Sequence, residues 1–200
     1  MTDTHQEHPA LQRFKAMKSG FDTKGILAFA VRDGYMPDAA SAETALDGVM
    51  QWLASHAVEE HADHPFVMMN GPVDQMFHVL LLNTRVYLHL CRDFVGFFVH
   101  HTPLDDKEAS DVITMGGIDY TIAKLQEGFG ADLASALVDW VTAHERGELN
   151  ATSVSCTGNG PDRSPSELLR IADFRTFWHK VHKPVPKIIK SPLTFLHSEQ

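Results

Sequence analysis

The stretch from residue 71 to residue 103 constrains the fold most, because it holds the densest apolar run in the chain. Its sequence, GPVDQMFHVLLLNTRVYLHLCRDFVGFFVHHTP, carries four of the thirteen histidines. Pro72 suits a first helical position, where its missing N–H has no intrahelical acceptor, and Gly96 suits a helix end. We therefore predict a helix over about 72–94, followed by a short extended segment that ends at Pro103.

The predicted helix is apolar around nearly its whole circumference, so it belongs in the interior of the fold. At about 100° per residue, Asp74, His78 and Arg85 fall on one polar stripe along it. Polar groups are costly to bury unless they have partners. The stripe therefore predicts a set of partnered polar side chains in the middle of the protein, and it is the leading candidate for a functional site.

The composition is that of an ordinary soluble protein with one core. The chain has 200 residues, of which 44% are hydrophobic and 22% charged, and this suits a single domain. The formal net charge of −9 argues against nucleic acid or an anionic membrane as a partner. The start, MTDTHQEH, lacks a signal sequence, and no run reaches the ~18 apolar residues of a membrane span. With only two cysteines, we expect a reducing, cytoplasmic location.

Apolar residues recur at helical spacing through most of the chain. The predicted helices cover residues 9–18, 22–32, 41–57, 72–94, 105–127, 131–144 and 164–181. Ser41 is expected to cap the third of these, and Gly116-Gly117 interrupts the fifth. In the second segment, residues 26–31 are apolar throughout, so a strand there remains the alternative to a helix. Residues 59–72 and 147–161 are rich in turn-forming residues and are predicted to be loops.

These elements predict an all-α fold, a single-domain helical bundle of about six or seven helices around the central buried helix at about 72–94. The helical domain is expected to cover residues 9–183. A disordered N-terminus, residues 1–8, precedes it, and an extended C-terminal tail, residues 184–200, follows it.

The central segment resembles the core signature of the glycine-rich domain-containing protein family, and more narrowly that of its short bacterial members. The matching positions are D-x-x-F-H at 74–78, T-x-x-Y at 84–87, Cys91, G-x-F-x-H-H-x-P at 96–103 and the pair Phe129-Gly130. Phe77 stands where the family has Trp, so an indole N–H is lost. The resemblance covers roughly residues 42–140. It implies a helical module whose histidines form a shared site, and it does not specify a reaction.

The residue types in this segment are those of a metal site. Asp74 and His78 are four residues apart, so they meet on one helix face. His100 and His101 follow in the extended segment, where side chains alternate, so only one of the two is expected to face the same way as the site. One carboxylate with two histidines is the donor set of non-haem iron sites. Asp74 is either a ligand or the outer carboxylate that fixes the tautomer of His78.

Two functional hypotheses follow. The first is a metal-dependent enzyme acting on a small molecule or peptide, with His78 and His101 as ligands and Fe, Cu or Zn as the ion. Iron- or copper-dependent oxidation is favoured over zinc-assisted hydrolysis, with Asp74 and Arg85 as the catalytic candidates and Arg85 orienting an anionic substrate. The alternative is a non-catalytic helical module that binds a protein partner and uses the His and Asp side chains as a buried network. In that case Arg85 pairs with a carboxylate. The oligomeric state stays open.

Other polar clusters compete with this site. His56, His61 and His64 lie around a predicted helix end among acidic residues, and His179 with His182 has the spacing of a ligand pair. Charged helix ends of this kind are common on any soluble protein. The loop around Cys156 offers backbone N–H groups to an anion but lacks the Lys-Ser/Thr of a P-loop. Cys91, inside the predicted helix, is expected to be a small buried filler.

Overall fold

The computed structural model of the protein describes residues 6–58 and 64–159. In that part of the chain the fold consists of eight α-helices and three short β-strands. The helices are α1 (Pro9–Gly20), α2 (Lys24–Arg32), α3 (Ala39–Val58), α4 (Pro72–Leu82), α5 (Thr84–Leu90), α6 (Asp106–Thr114), α7 (Gly117–Phe129) and α8 (Ser135–Glu145). The strands are β1 (Phe66–Met69), β2 (His100–Pro103) and β3 (Val154–Asn159). The mostly helical prediction is confirmed.

Part of the predicted organisation lies outside the described residues. This holds for residues 1–5, for the predicted helix 164–181 and tail 184–200, and for His61, His179 and His182. Next to the first helix, His8 accepts a hydrogen bond from the Ala10 N–H at 3.2 Å and so caps α1. The division of the chain into a helical domain and two terminal segments stays a prediction.

The three strands form an antiparallel sheet in the order β1–β3–β2, with β3 in the middle. The all-α prediction is therefore wrong in this respect, as are the predicted loops where β1 and β3 lie. All four residues of β1 are buried, so the alternation that marks a half-exposed strand is absent. The sequence of β3, VSCTGN, resembles a turn, and its backbone finds partners only in strands distant along the chain.

The most enclosed helix is α3, in which every residue from 48 to 56 is buried. It packs against α1, α2, α4, α7 and α8. The Trp52 indole N–H donates to the Val67 carbonyl at 2.8 Å, and the Val67 N–H donates to the Thr121 hydroxyl oxygen at 2.9 Å. These bonds fasten the sheet between α3 and α7. No helix in the described ranges combines the length and hydropathy that a membrane span requires.

The predicted helix at 72–94 is not continuous. Asn83 breaks it, with φ −97° and ψ 60°, and its side-chain amide donates to the Val79 carbonyl at 2.8 Å. After α5 the chain forms a π-helical turn, Cys91–Val95, which ends at Gly96 with a positive φ of 98°. The Arg13 guanidinium donates to the Val95 carbonyl at 3.0 Å and so satisfies the end of this turn. The polar stripe predicted along one continuous helix therefore ends at Asn83.

The other predicted helices agree better with the structure. The segment around residue 26 is helical rather than extended, and the pair Gly116-Gly117 separates α6 from α7 as expected. Helix α3 begins at Ala39, and the Asp38 carboxylate accepts from the Ser41 N–H at 2.7 Å. Asp38 therefore takes the capping role that the sequence assigns to Ser41.

Candidate metal centre

One group of side chains in the described residues has the composition of a metal site, namely Asp74, His78 and His101. One ligand atom from each lies within 4.8 Å of the other two. Asp74 is buried, whereas the two histidines are partly exposed. The structure thus brings together three of the four ligands predicted from the sequence.

Local structure explains why these side chains converge. Gly71, with φ 132°, turns the chain into α4, and Asp74 lies in the first turn, where the helix dipole favours a carboxylate. His78 follows one turn later on the same face. His101 reaches the group from β2, where it is paired with Gly158 of β3. The site therefore forms where one helix meets the sheet.

The two histidines approach each other through their Nε2 atoms, which are 3.1 Å apart. Two nitrogens bound to one ion at about 2.0–2.1 Å, at a tetrahedral angle, lie about 3.3 Å apart. The observed separation is close to that value. The same separation fits a hydrogen bond, in which one ring donates and the other accepts. Both a shared ion and a direct bond are therefore compatible with the positions of the rings.

Asp74 is the most buried member of the group, with 8% of its surface exposed. Its Oδ1 accepts from the Ser155 hydroxyl at 2.8 Å, and its Oδ2 lies 3.5 Å from Nδ1 of His78. No Lys or Arg pairs with it in the described part of the chain. A buried carboxylate without a full cationic partner is costly. The surroundings of Asp74 therefore favour a positive charge beside it, such as a bound metal ion.

Burial lowers the pKa of the His101 imidazole below its usual value of 6.5. The neighbouring His78 lowers this pKa further, while Asp74 acts in the opposite direction. The neutral ring is the form that coordinates a metal ion. The environment of His101 thus favours the protonation state that a ligand needs.

We expect the ion-free protein to lose stability as the pH falls below about 6.5. In that range the unfolded chain binds protons at this position more readily than the folded chain, whose His101 pKa is lowered. This contribution is complete above pH 6.5 and is lost as the pH falls towards the lowered pKa. Urea unfolding with a chelator at about pH 7.5 and about pH 5.5 measures it. A His101→Gln variant with the same loss would contradict this assignment.

His100 is not part of this group, and Arg85 makes no ion pair or hydrogen bond with it. His100 is exposed and its ring packs on Phe98 with centroids 5.0 Å apart, in keeping with the alternation of side chains along β2. Arg85 is exposed on α5, beyond the break at Asn83, and makes no ion pair or hydrogen bond with the described residues. Arg85 and Asp74 therefore do not share one continuous helix, which is the basis of the predicted catalytic role for Arg85.

The competing histidine cluster is not assembled among the described residues. His56 is buried and stacks on Trp52, with centroids 5.5 Å apart and an interplanar angle of 4°. His64 is exposed, stacks on Tyr120, and places its Nδ1 3.1 Å from the Met115 carbonyl. Both rings therefore have packing roles in aromatic clusters.

Both cysteines are buried and are poor nucleophiles. Burial raises the pKa of the Cys91 thiol to about 11 and that of Cys156 to about 12. The thiolate, which is the reactive form, is scarce at neutral pH. The packing of Cys91 agrees with a role as a small buried filler.

Ser155 is the site residue whose role the sequence did not reveal. Its segment resembles a flexible loop, and neither residue type nor spacing links it to a helix 81 positions earlier. Only the sheet places its hydroxyl beside Asp74. No local pattern connects Ser155 to Asp74, so no signal in the sequence could have identified it.

Comparison of the chain with protein-family models, curated proteins and solved structures gives no match. The resemblance to the glycine-rich domain-containing protein family stays a prediction.

Proposed function

We propose that this protein binds one transition metal ion at Asp74, His78 and His101 and uses it to act on a small molecule or peptide. The observation that supports the proposal most is the convergence of two imidazoles and one buried carboxylate within 4.8 Å. Two histidines and one carboxylate hold catalytic iron in a facial arrangement that leaves other positions open.

The exposure of the site supports an open ion rather than an enclosed structural one. The His78 side chain is 43% exposed, while that of Asp74 is 11% exposed. Structural zinc sites are closed by four protein ligands, whereas catalytic sites keep at least one position for water or substrate. Three donors with one exposed side match the catalytic type. Iron or copper would supply oxidation chemistry there, and zinc would supply hydrolysis.

The protein's own groups have defined roles in this proposal. His78 and His101 donate ring nitrogens to the ion, and Asp74 supplies negative charge either to the ion directly or through Nδ1 of His78. The apolar core beneath the site, with Phe77 packed 5.6 Å from the His101 ring, keeps water away from the inner side. Substrate would therefore approach from the side on which His78 is exposed.

The alternative is a non-catalytic protein-interaction module in which the same groups form a polar network. One observation favours it. If His101 donates from Nε2 to Nε2 of His78, then His78 carries its own proton on Nδ1, which lies 3.5 Å from Oδ2 of Asp74, and the two rings are linked without an ion. Metal binding requires His101 to present an unprotonated Nε2 instead, so the two functions differ in the tautomer of this ring.

Elemental analysis of tag-free protein, purified without chelators, tests the metal site. We expect near-stoichiometric iron, copper or zinc. After EDTA has removed the ion, titration with the metal found in the purified protein should restore stoichiometric binding. At a free metal concentration of about 100 times Kd, the added stability is about 2.7 kcal/mol. The EDTA-treated sample is the control. Absence of metal in the purified protein, together with no binding on titration, would favour the interaction module.

Exogenous azide tests whether the bound ion has open positions. In protein loaded with Cu²⁺ or Co²⁺, azide should bind to the ion and change its visible spectrum, because an open site exchanges water for an anion. A spectrum that azide leaves unchanged would indicate a closed structural ion and would argue against catalysis. The metal retained on purification then selects between oxidation and hydrolysis as the reaction class to assay.

A further inference from the structure

Ser155 occupies a β-bulge in the central strand. Met68 is paired with Cys156, but the next residue of β1, Met69, is paired with Val154. Two steps along β3 thus correspond to one step along β1, and Ser155 is the extra residue. Bulges bend a strand and redirect the side chain of the extra residue. Here the hydroxyl points to Asp74, which lies on a helix rather than on a neighbouring strand.

The hydroxyl of Ser155 has two acceptors and one proton. Its Oγ lies 2.8 Å from Oδ1 of Asp74 and 3.0 Å from the carbonyl oxygen of Met68. A serine donates only one hydrogen bond. A bond to an ionised acceptor is the shorter and stronger of two alternatives. The Ser155 hydroxyl therefore donates its hydrogen bond to Oδ1 of Asp74 and holds that oxygen in place.

With Oδ1 held by Ser155, the other carboxylate oxygen is aimed at the histidine. Oδ2 of Asp74 lies 3.5 Å from Nδ1 of His78, and Nε2 of the same ring faces His101. A carboxylate at Nδ1 keeps the proton there and leaves Nε2 free to bind an ion.

We propose that Ser155 is a positioning residue that orients Asp74 so that His78 presents an unprotonated Nε2. The inference rests on the proposed metal site, and it extends that site to a third segment of the chain. It also gives the bulge a role, since the extra residue of β3 carries the hydroxyl that donates to Asp74.

The test compares Ser155→Ala with Ser155→Thr. Ala removes the hydroxyl, whereas Thr keeps it and suits a strand. We expect the Ala variant to bind Zn²⁺ about 10- to 100-fold more weakly than the wild type, the usual effect of losing an outer partner of a metal ligand. The Thr variant should restore most of the affinity. Ser135→Ala is the matched control, because Ser135 is exposed at the start of α8 and makes no capping bond.

A second readout uses the ion-free protein and does not depend on metal. Nitrogen chemical shifts of the His78 ring report which nitrogen carries the proton. We expect the Nδ1–H form in the wild type and in Ser155→Thr, and a mixture of both tautomers in Ser155→Ala. If the wild type binds no metal, the proposed function fails while this readout still decides the role of Ser155.

Two results would overturn the inference. One is an Ala variant with wild-type tautomer populations, whatever its affinity, because Ser155 would then act only through the sheet. The other is a folded Thr variant as impaired as the Ala variant, because a hydroxyl would then be insufficient. Circular dichroism of each variant establishes that the fold is intact before the comparison is made.

Discussion

Replacing either His78 or His101 by Ala is expected to abolish stoichiometric metal binding. Each supplies one of the two Nε2 atoms that lie 3.1 Å apart. Loss of an outer partner already weakens a metal site about 10- to 100-fold, so loss of a ligand should lower the affinity by more than about 100-fold. Elemental analysis and titration with Zn²⁺, Cu²⁺ and Fe²⁺ measure this effect.

His100→Ala is the matched control for these two variants. It changes the same residue type on the strand that carries His101, but its ring is exposed and packs on Phe98. We therefore expect it to keep wild-type metal content. If His100→Ala lost the ion as completely as His101→Ala, the site would have to be rebuilt around the other face of β2.

The stability of the same variants separates the two functional hypotheses. In a metal-free polar network, truncation of His78 leaves the buried Asp74 with less compensation and destabilises the protein without any ion to lose. In a metal site, the stability difference between wild type and His78→Ala should grow when metal is added and shrink under EDTA. Unfolding curves with and without the chelator are therefore as informative as the elemental analysis.

The part of the site that the sequence predicts is the part governed by local rules. Asp74 and His78 meet because residues four apart share a helix face. Alternation along an extended segment implies that only one of His100 and His101 faces the site, but it does not say which. The choice of His101 depends on how β2 is paired with β3, a contact between segments more than fifty residues apart.

The errors arise where distant parts of the chain decide the structure. Helical periodicity continues through Asn83, so the break that separates Arg85 from Asp74 leaves no trace in the apolar pattern. β1 is short and uniformly apolar, and β3 is short and largely polar. Neither sequence therefore shows the alternation of apolar and polar residues that identifies a half-buried strand. Ser155 joins the site only through the bulge that the pairing of β3 creates. Prediction from sequence therefore finds Asp74, His78 and the histidine pair of β2, but it misses Ser155 and the strand pairing that brings His101 to the site.

Gly158 is the position at which we expect the largest loss of stability on a minimal change. A Cβ built there would lie 2.2 Å from Cη2 of Trp52 and 3.1 Å from Cγ1 of Val99. Trp52 is fully buried and its indole is fixed by its bond to the Val67 carbonyl, so it has little freedom to move. Gly158→Ala should therefore cost roughly 3 kcal/mol, the upper end for overpacking. Thermal unfolding should show a decrease in Tm of about 6–12 °C for a chain of this size.

Gly25→Ala is the matched control, because a Cβ at Gly25 would have no atom within 4 Å and the residue lies inside α2. There the same substitution should stabilise the protein by about 0.5–1 kcal/mol.

Gly158→Ala should also weaken metal binding, since Gly158 is paired with His101 and displacement of β3 moves that ring. Weaker metal binding in the surviving folded fraction would connect the packing of Trp52 to the site. A stable Gly158→Ala protein with unchanged affinity would show that β3 and Trp52 separate without disturbing His101.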